Sequence, residues 1–139
     1  MLIGNLLKGQ VLVSAEVQQT ALEVARVMVK HNIGAVPLLR NGQLAGIFSE
    51  RDLMNRVVVA GLEPAQTLVG EVMTEDPLTV APNDDVETCM TLMRRHGFRH
   101  LPVCQGGELR GVISLRDILL HDLDEKYDEV RMMRAYLQS

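Results

Sequence analysis

The chain has 139 residues, 47% of them apolar but only 3% aromatic and none Trp, so its core must be assembled from Leu, Val, Ile, Ala and eight Met. A net charge of −4 offers no basic footprint and argues against binding driven by nucleic-acid phosphates. Cys89 and Cys104 form no CxxC, and no stretch approaches 18 continuous apolar residues or reads as a signal peptide, so a soluble, cytoplasmic protein with reduced thiols and no membrane partner is expected.

In chain order, Ile3-Gly4-Asn5-Leu6-Leu7 is an apolar lead-in, and Val11 to Val13 reads as a short strand. Thr20-Ala21-Leu22-Glu23 has the form of a capping box. Behind it Ala21, Val24, Ala25, Met28 and Val29 recur at helical spacing, so a helix over about 20–32 is predicted, ended by His31-Asn32 and Gly34. Ala35 to Leu39 reads as a strand containing Pro37. A proline donates no ladder hydrogen bond, so this strand should be short, at an edge, or bulged. Asn41-Gly42 predicts a hairpin turn, Leu44 to Ser49 the returning strand, and Glu50 to Val58 a second helix.

The second half repeats the first. Val69-Gly70-Glu71-Val72-Met73 echoes the lead-in, Leu78-Thr79-Val80 reads as a strand, and Asp84-Asp85-Val86-Glu87 supplies another helix cap. Val86, Met90, Leu92 and Met93 line a helix ending near His96-Gly97. Leu101-Pro102-Val103 matches Val36-Pro37-Leu38, and Gly106-Gly107 stands where Asn41-Gly42 stood. Most telling is Gly46-Ile47-Phe48-Ser49-Glu50-Arg51-Asp52-Leu53, which returns 65 residues later as Gly111-Val112-Ile113-Ser114-Leu115-Arg116-Asp117-Ile118. A duplicated strand-helix-strand-strand-helix unit follows, of α+β class. Its expected division is 1–60, a linker at 61–68, 69–120, and a C-terminal amphipathic helix at 121–139. On that helix Leu123, Tyr127, Val130, Met133 and Leu137 form an apolar stripe. The stripe is expected to pack on its own domain, with a dimer contact as the alternative.

The doubled Gly-h-h-Ser-x-x-Asp (h for apolar), with an h-Pro-h strand at fixed distance before each copy, resembles a tandem pair of CBS motifs. This is the module named for cystathionine beta-synthase and also carried by IMP dehydrogenase. The likeness covers about residues 1–120 and is to the small standalone members. It implies two β-α-β-β-α motifs related by a pseudo-twofold axis, each with a small three-stranded sheet. It also implies a cleft for an adenosine-containing ligand (AMP, ADP, ATP, NAD or S-adenosylmethionine), further homodimerisation, a regulated partner protein, and no required cofactor.

The family's phosphate and ribose contacts carry over to Ser49 and Asp52 in the first copy and to Ser114 and Asp117 in the second. The chemistry suits the spacing. A helix start offers unpaired N–H groups to a phosphate, and a carboxylate one turn in accepts two ribose hydroxyls. The same Ser-x-x-Asp is also a capping box with no ligand at all. The second copy is richer. Arg99 and His100 precede the Pro102 strand, where the family engages phosphates, and Arg116 adds a cation as Arg51 does in the first copy. Arg99 and Arg116 are also plain surface arginines if nearby acids pair with them. Thr79 has a hydroxyl for an adenine edge, or simply packs. Gly34 and Ala35, before Pro37, leave room for a flat base. His31, His96, His100 and His121 fit no metal-ligand spacing. With no nucleophile–base constellation, P-loop or GxGxxG, neither a catalytic residue nor a metal site is expected.

Overall fold

Each half of the molecule is built on a β-hairpin whose turn the sequence dictates. Asn41 (φ 54°) and Gly42 (φ 80°) both adopt left-handed backbone, and so do Gly106 (φ 58°) and Gly107 (φ 81°). That pairing matches the right-handed twist of the flanking strands. In the structure, a computed structural model that describes residues 1–138, the turns join β2 (Ala35–Arg40) to β3 (Gln43–Ser49) and β5 (His100–Gln105) to β6 (Glu108–Ser114). Ala35 lies opposite Ser49, and His100 opposite Ser114. Each hairpin therefore brings the residues before its proline beside its serine.

Of the three arrangements expected for the strand of Pro37, the bulge is the one adopted; the Pro102 strand is bulged as well and also lies at the edge of its two-stranded sheet. The register shifts between Leu38 and Leu39, and again between Val103 and Cys104, one step after each proline. β2 is neither short nor at an edge, since β1 (Ala15–Glu16) flanks it on the side away from β3. β1 pairs only with Leu38 and Leu39, so no strand on that side calls on the amide that Pro37 lacks.

The helices follow their caps with two exceptions. The Thr20 hydroxyl accepts the Glu23 N–H at 3.1 Å to start α2 (Ala21–His31), and Asn32 at φ 52° ends it. Ala21, Val24 and Met28 are buried, but Val29 is exposed. One residue past Met28 it is turned about 100° off the core face. α5 (Val86–His96) closes on left-handed Gly97, but the expected acidic cap is not made: the Asp85 side chain caps nothing, and Asp84 Oδ2 instead accepts the Ala81 N–H at 2.7 Å. α3 (Glu50–Asp52) continues as π-helical turns over Leu53–Val58.

The closing helix of the second half and the expected C-terminal helix are one element, α6 (Leu115–Gln138). Its first turns pack against β6, α1 (Ile3–Leu6) and α5. The expected packing of the remainder on its own domain does not occur: every described residue from Asp122 onward is exposed. Ser139, the last residue of the predicted helix, lies outside the described residues. No helix among the described residues is long and apolar enough to cross a membrane.

The sheets also depart from expectation. Val11 to Val13 is not a strand, and of Leu78-Thr79-Val80 only Val80 makes a bridge, to Val103. Instead β4 (Thr74–Glu75) joins the edge of β3, giving a four-stranded sheet β1-β2-β3-β4 and a two-stranded sheet β5-β6 rather than two of three. Gly46 makes this possible, because a Cβ there would run into Met73 Sδ and would sit 2.7 Å from Thr74 O. At the equivalent edge beside Gly111, a side chain stands in for a strand. The Gln10 carboxamide donates to Val112 O at 3.0 Å and accepts the Val112 N–H at 3.2 Å.

The two cores exchange their lead-ins. α4 (Val69–Val72) and Met73 pack with Val24, Met28, Val36, Leu38, Phe48 and Val57 of the first half. Ile3, with Leu6 and Leu7 beside it, packs with Val80, Cys89, Leu101, Val103, Ile113 and Ile118 of the second. The backbone ties are duplicated too. Ile3 N–H bonds to Asp84 O and Gly4 N–H to Pro82 O, while Val69 N–H bonds to Gln19 O and Gly70 N–H to Val17 O. Ile3 and Val69 are fully buried, each contributing roughly 1.5–3 kcal/mol across the halves, so neither core is complete without chain from the other.

Candidate functional site

Each copy of Ser-x-Arg-Asp lies where a hairpin's second strand turns into a helix. The N–H of the first helical residue is taken by the strand entry beside it: Glu50 N–H donates to Gly34 O at 3.0 Å, and Leu115 N–H to Arg99 O at 2.9 Å. Both serines cap. Asp52 N–H donates to Ser49 Oγ at 3.2 Å and Asp117 N–H to Ser114 Oγ at 3.0 Å. The carboxylates reach back, Asp52 Oδ2 to Ser49 N–H at 3.0 Å and Asp117 Oδ2 to Ser114 N–H at 3.3 Å. The capping reading is thus realised twice, and what differs is the acceptor capacity left over.

Asp52 has little. It is 8% exposed and also accepts from the Ser49 hydroxyl at 3.1 Å and from the Thr74 hydroxyl at 3.3 Å, with Arg56 Nε 3.7 Å away. Arg56 in turn donates to Met73 O, clamping β4 to the helix start. Asp117 is half-buried, and the Ser114 N–H is the only hydrogen-bond donor to its carboxylate among the described residues. A carboxylate has roughly four acceptor positions, so Asp117 keeps most of them free. Among the described residues no hydroxyl or guanidinium reaches Asp117 as those of Thr74 and Arg56 reach Asp52. The second half has no strand in the place of β4, and His121 stands where Arg56 stood and pairs with Glu125 at 3.7 Å.

The second hairpin collects most of the residues singled out from sequence. His100 is paired with Ser114, Arg99 holds the start of α6 through its carbonyl, and Pro102 O accepts the Val80 N–H at 3.0 Å, which draws Thr79 to the same strand. Thr79, Arg99 and Arg116 are exposed, and neither arginine makes an ion pair among the described residues. In the first copy Arg51 is likewise exposed without an ion pair, while Ala35 and Pro37 are buried in the sheet.

The two ends meet at Gly34. A Cβ at that position would lie 3.0 Å from Glu50 Oε1 and 3.3 Å from His100 Nε2, so the first-copy glycine admits the second-copy histidine and a glutamate together. Burial lowers the His100 pKa, against the pull of Glu50 and Asp117 and with the push of Arg99, which favours the neutral imidazole. Sequence reasoning missed Glu50 and Thr74. Glu50 carried a usable signal, since its repeat partner is Leu115; Thr74 carried none, because it becomes a partner only when β4 docks. Among the described residues no group of three His, Cys, Asp or Glu side chains is placed to hold a metal ion.

This architecture is that of a known family. The model of the CBS domain matches residues 10–59 and 69–124, and the chain belongs to that family. It is 33% identical over 108 residues to the CBS domain-containing protein YhcV of Bacillus subtilis, covering 78% of this chain and 76% of that protein. It is also 33% identical over 124 residues to the mitochondrial CBS domain-containing protein CBSX3 of Arabidopsis thaliana; 86% of this chain is aligned, but it spans only 60% of CBSX3's length. Among solved structures it is similar to the CBS domain protein PAE2072 of Pyrobaculum aerophilum complexed with AMP. The TM-score is 0.76 at 30% identity, covering 84% of this chain and 89% of that one.

Proposed function

We propose that this chain is a non-catalytic regulatory module that binds an adenosine-containing ligand on its second copy of Ser-x-Arg-Asp. It passes the state of that cleft on through a homodimer or a partner protein. The observation that carries the reading is the unequal use of the two aspartates. Asp52 is spent on the fold, whereas Asp117 keeps free acceptor positions in the same half as Arg99 and Arg116, which make no ion pair among the described residues. In this reading Asp117 takes the ribose hydroxyls, and Ser114 and the two arginines take phosphate. Thr79, His100 and Pro102 border the base, while the room expected at Gly34 and Ala35 is not left for it: Gly34 admits His100 and Glu50, and Ala35 is buried in the sheet. Ser49, Arg51, Asp52 and Pro37 form the weaker, second cleft. The AMP complex of the Pyrobaculum relative supports the ligand class. The unpaired thiols Cys89 and Cys104 fit a cytoplasmic setting.

The exposed stripe of α6 favours a second reading, a ligand-free structural dimerisation module. A thermal-shift screen with AMP, ADP, ATP, NAD and S-adenosylmethionine, with guanosine equivalents as controls, separates the two. A ligand that binds only the folded chain adds about 2.7 kcal/mol at a hundredfold excess over Kd. The sensor reading expects a shift with at least one adenosine compound and none with guanosine. No shift with any of them at millimolar concentration sinks it in favour of the dimer module.

A further inference from the structure

Beyond His121, α6 leaves the body of the molecule with its apolar stripe bare: Leu123 is 48% exposed, Tyr127 62%, Val130 44%, Met133 64% and Leu137 78%. Helices in proteins are held mainly by packing of their apolar face rather than by intrinsic propensity. The stripe therefore calls for an occupant, and two features of the sequence say which.

The first is its symmetry. Leu123 and Leu137 each lie seven residues from Val130, and Tyr127 and Met133 each lie three from it, on opposite sides. A stripe that reads the same in both directions about one residue is what a twofold, self-complementary contact between antiparallel helices requires, because each residue must meet its mirror position on the other copy. The second is charge. Between Asp122 and Glu129 stand five acids and the single Lys126; after Val130 stand Arg131 and Arg134 and no acid. Antiparallel pairing about Val130 sets Arg131 opposite Glu129 and, although Arg134 falls opposite Lys126, lays the basic end of one helix alongside the acidic stretch of the other, whereas parallel pairing sets acid against acid. Arg131 already pairs with Asp128 on its own helix, but this is an exposed pair of the kind that contributes little and is easily shared, and Arg134 makes no ion pair among the described residues.

We propose that α6 is an antiparallel docking surface for the α6 of a second copy of this chain, with the twofold axis at Val130. Leu123 of one copy packs on Leu137 of the other, and Tyr127 on Met133. This gives the homodimer arm of the proposed function a definite contact, and it stands or falls separately from nucleotide binding.

Sedimentation of the full chain, its Val130→Glu variant, and single-cysteine additions tests it. The native thiols form a quiet background: burial, with Asp84 adding to it, pushes Cys89 up to about 11, and burial also raises Cys104. The expected results are a wild-type dimer and a monomer for Val130→Glu with unchanged melting of the body. Mixing Leu123→Cys with Leu137→Cys should give a disulfide between them, with neither variant linking to itself. A monomeric wild type, a dimer that survives Val130→Glu, or self-linking of Leu123→Cys would each overturn the proposal. An adenosine-ligand thermal shift retained by Val130→Glu shows that the sensor reading is untouched by such a failure.

Discussion

The two copies of Ser-x-Arg-Asp have the same local geometry and different employment. In the first, the carboxylate is buried under β4 and collects donors from Ser49 and Thr74 with Arg56 beside it; in the second, the edge is filled by the Gln10 carboxamide and the carboxylate is left half-open. A duplicated motif thus diverges without changing a single motif residue. What changed is what docks beside it. The strand β4 turned one site into a structural joint, and its absence left the other accessible.

The largest effect that sharpens this contrast is on stability. Asp52→Ala leaves a part-buried amide and two hydroxyls without their acceptor and takes the ion-pair partner from Arg56. At about 1–3 kcal/mol per stranded buried group, tempered by partial exposure, a loss of about 3 kcal/mol is expected in urea unfolding. Asp117→Ala removes only the reciprocal half of a cap and should cost about 1 kcal/mol. Equal losses for the two variants would break the comparison.

A smaller effect concerns pH, and it belongs to the second copy because Ala35 stands where His100 stands there. Burial lowers the folded-state pKa of His100 below its ordinary 6.5, so the unfolded chain binds the extra proton first. Stability is therefore full above about pH 6.5 and falls as pH drops below it. The urea midpoint should decline on that side, and His100→Gln should flatten the decline while leaving Asp52-dependent stability unchanged.

Much of this fold was legible in the sequence because its signals are local. Asn41-Gly42, Gly106-Gly107, Thr20 with Glu23, and the repeated Ser-x-Arg-Asp each specify their own backbone within four residues. The misreadings share one cause. Val11 to Val13 have β-prone composition but no partner strand, and Leu78 to Val80 meet β5 only at Val80, whereas Thr74-Glu75 forms a strand only because Gly46 lets it approach. The exchange of α1 and α4 between the cores is equally non-local: Ile3 and Val69 are apolar wherever they pack. At the site, the residues of the second hairpin were identifiable one by one, but the saturation of Asp52 depends on Thr74, 22 residues away, and could not be read from spacing.

The most direct test of the account is calorimetric titration of the adenosine ligand that gives the largest thermal shift. It should be run on the wild type, Asp117→Ala and Asp52→Asn, the last keeping shape at the structural joint. One dominant site per chain is expected, weakened at least tenfold by Asp117→Ala, as for hydrogen bonds to a charged acceptor, and nearly unchanged in Asp52→Asn. Two equivalent sites, or binding lost with Asp52→Asn and kept with Asp117→Ala, would contradict it.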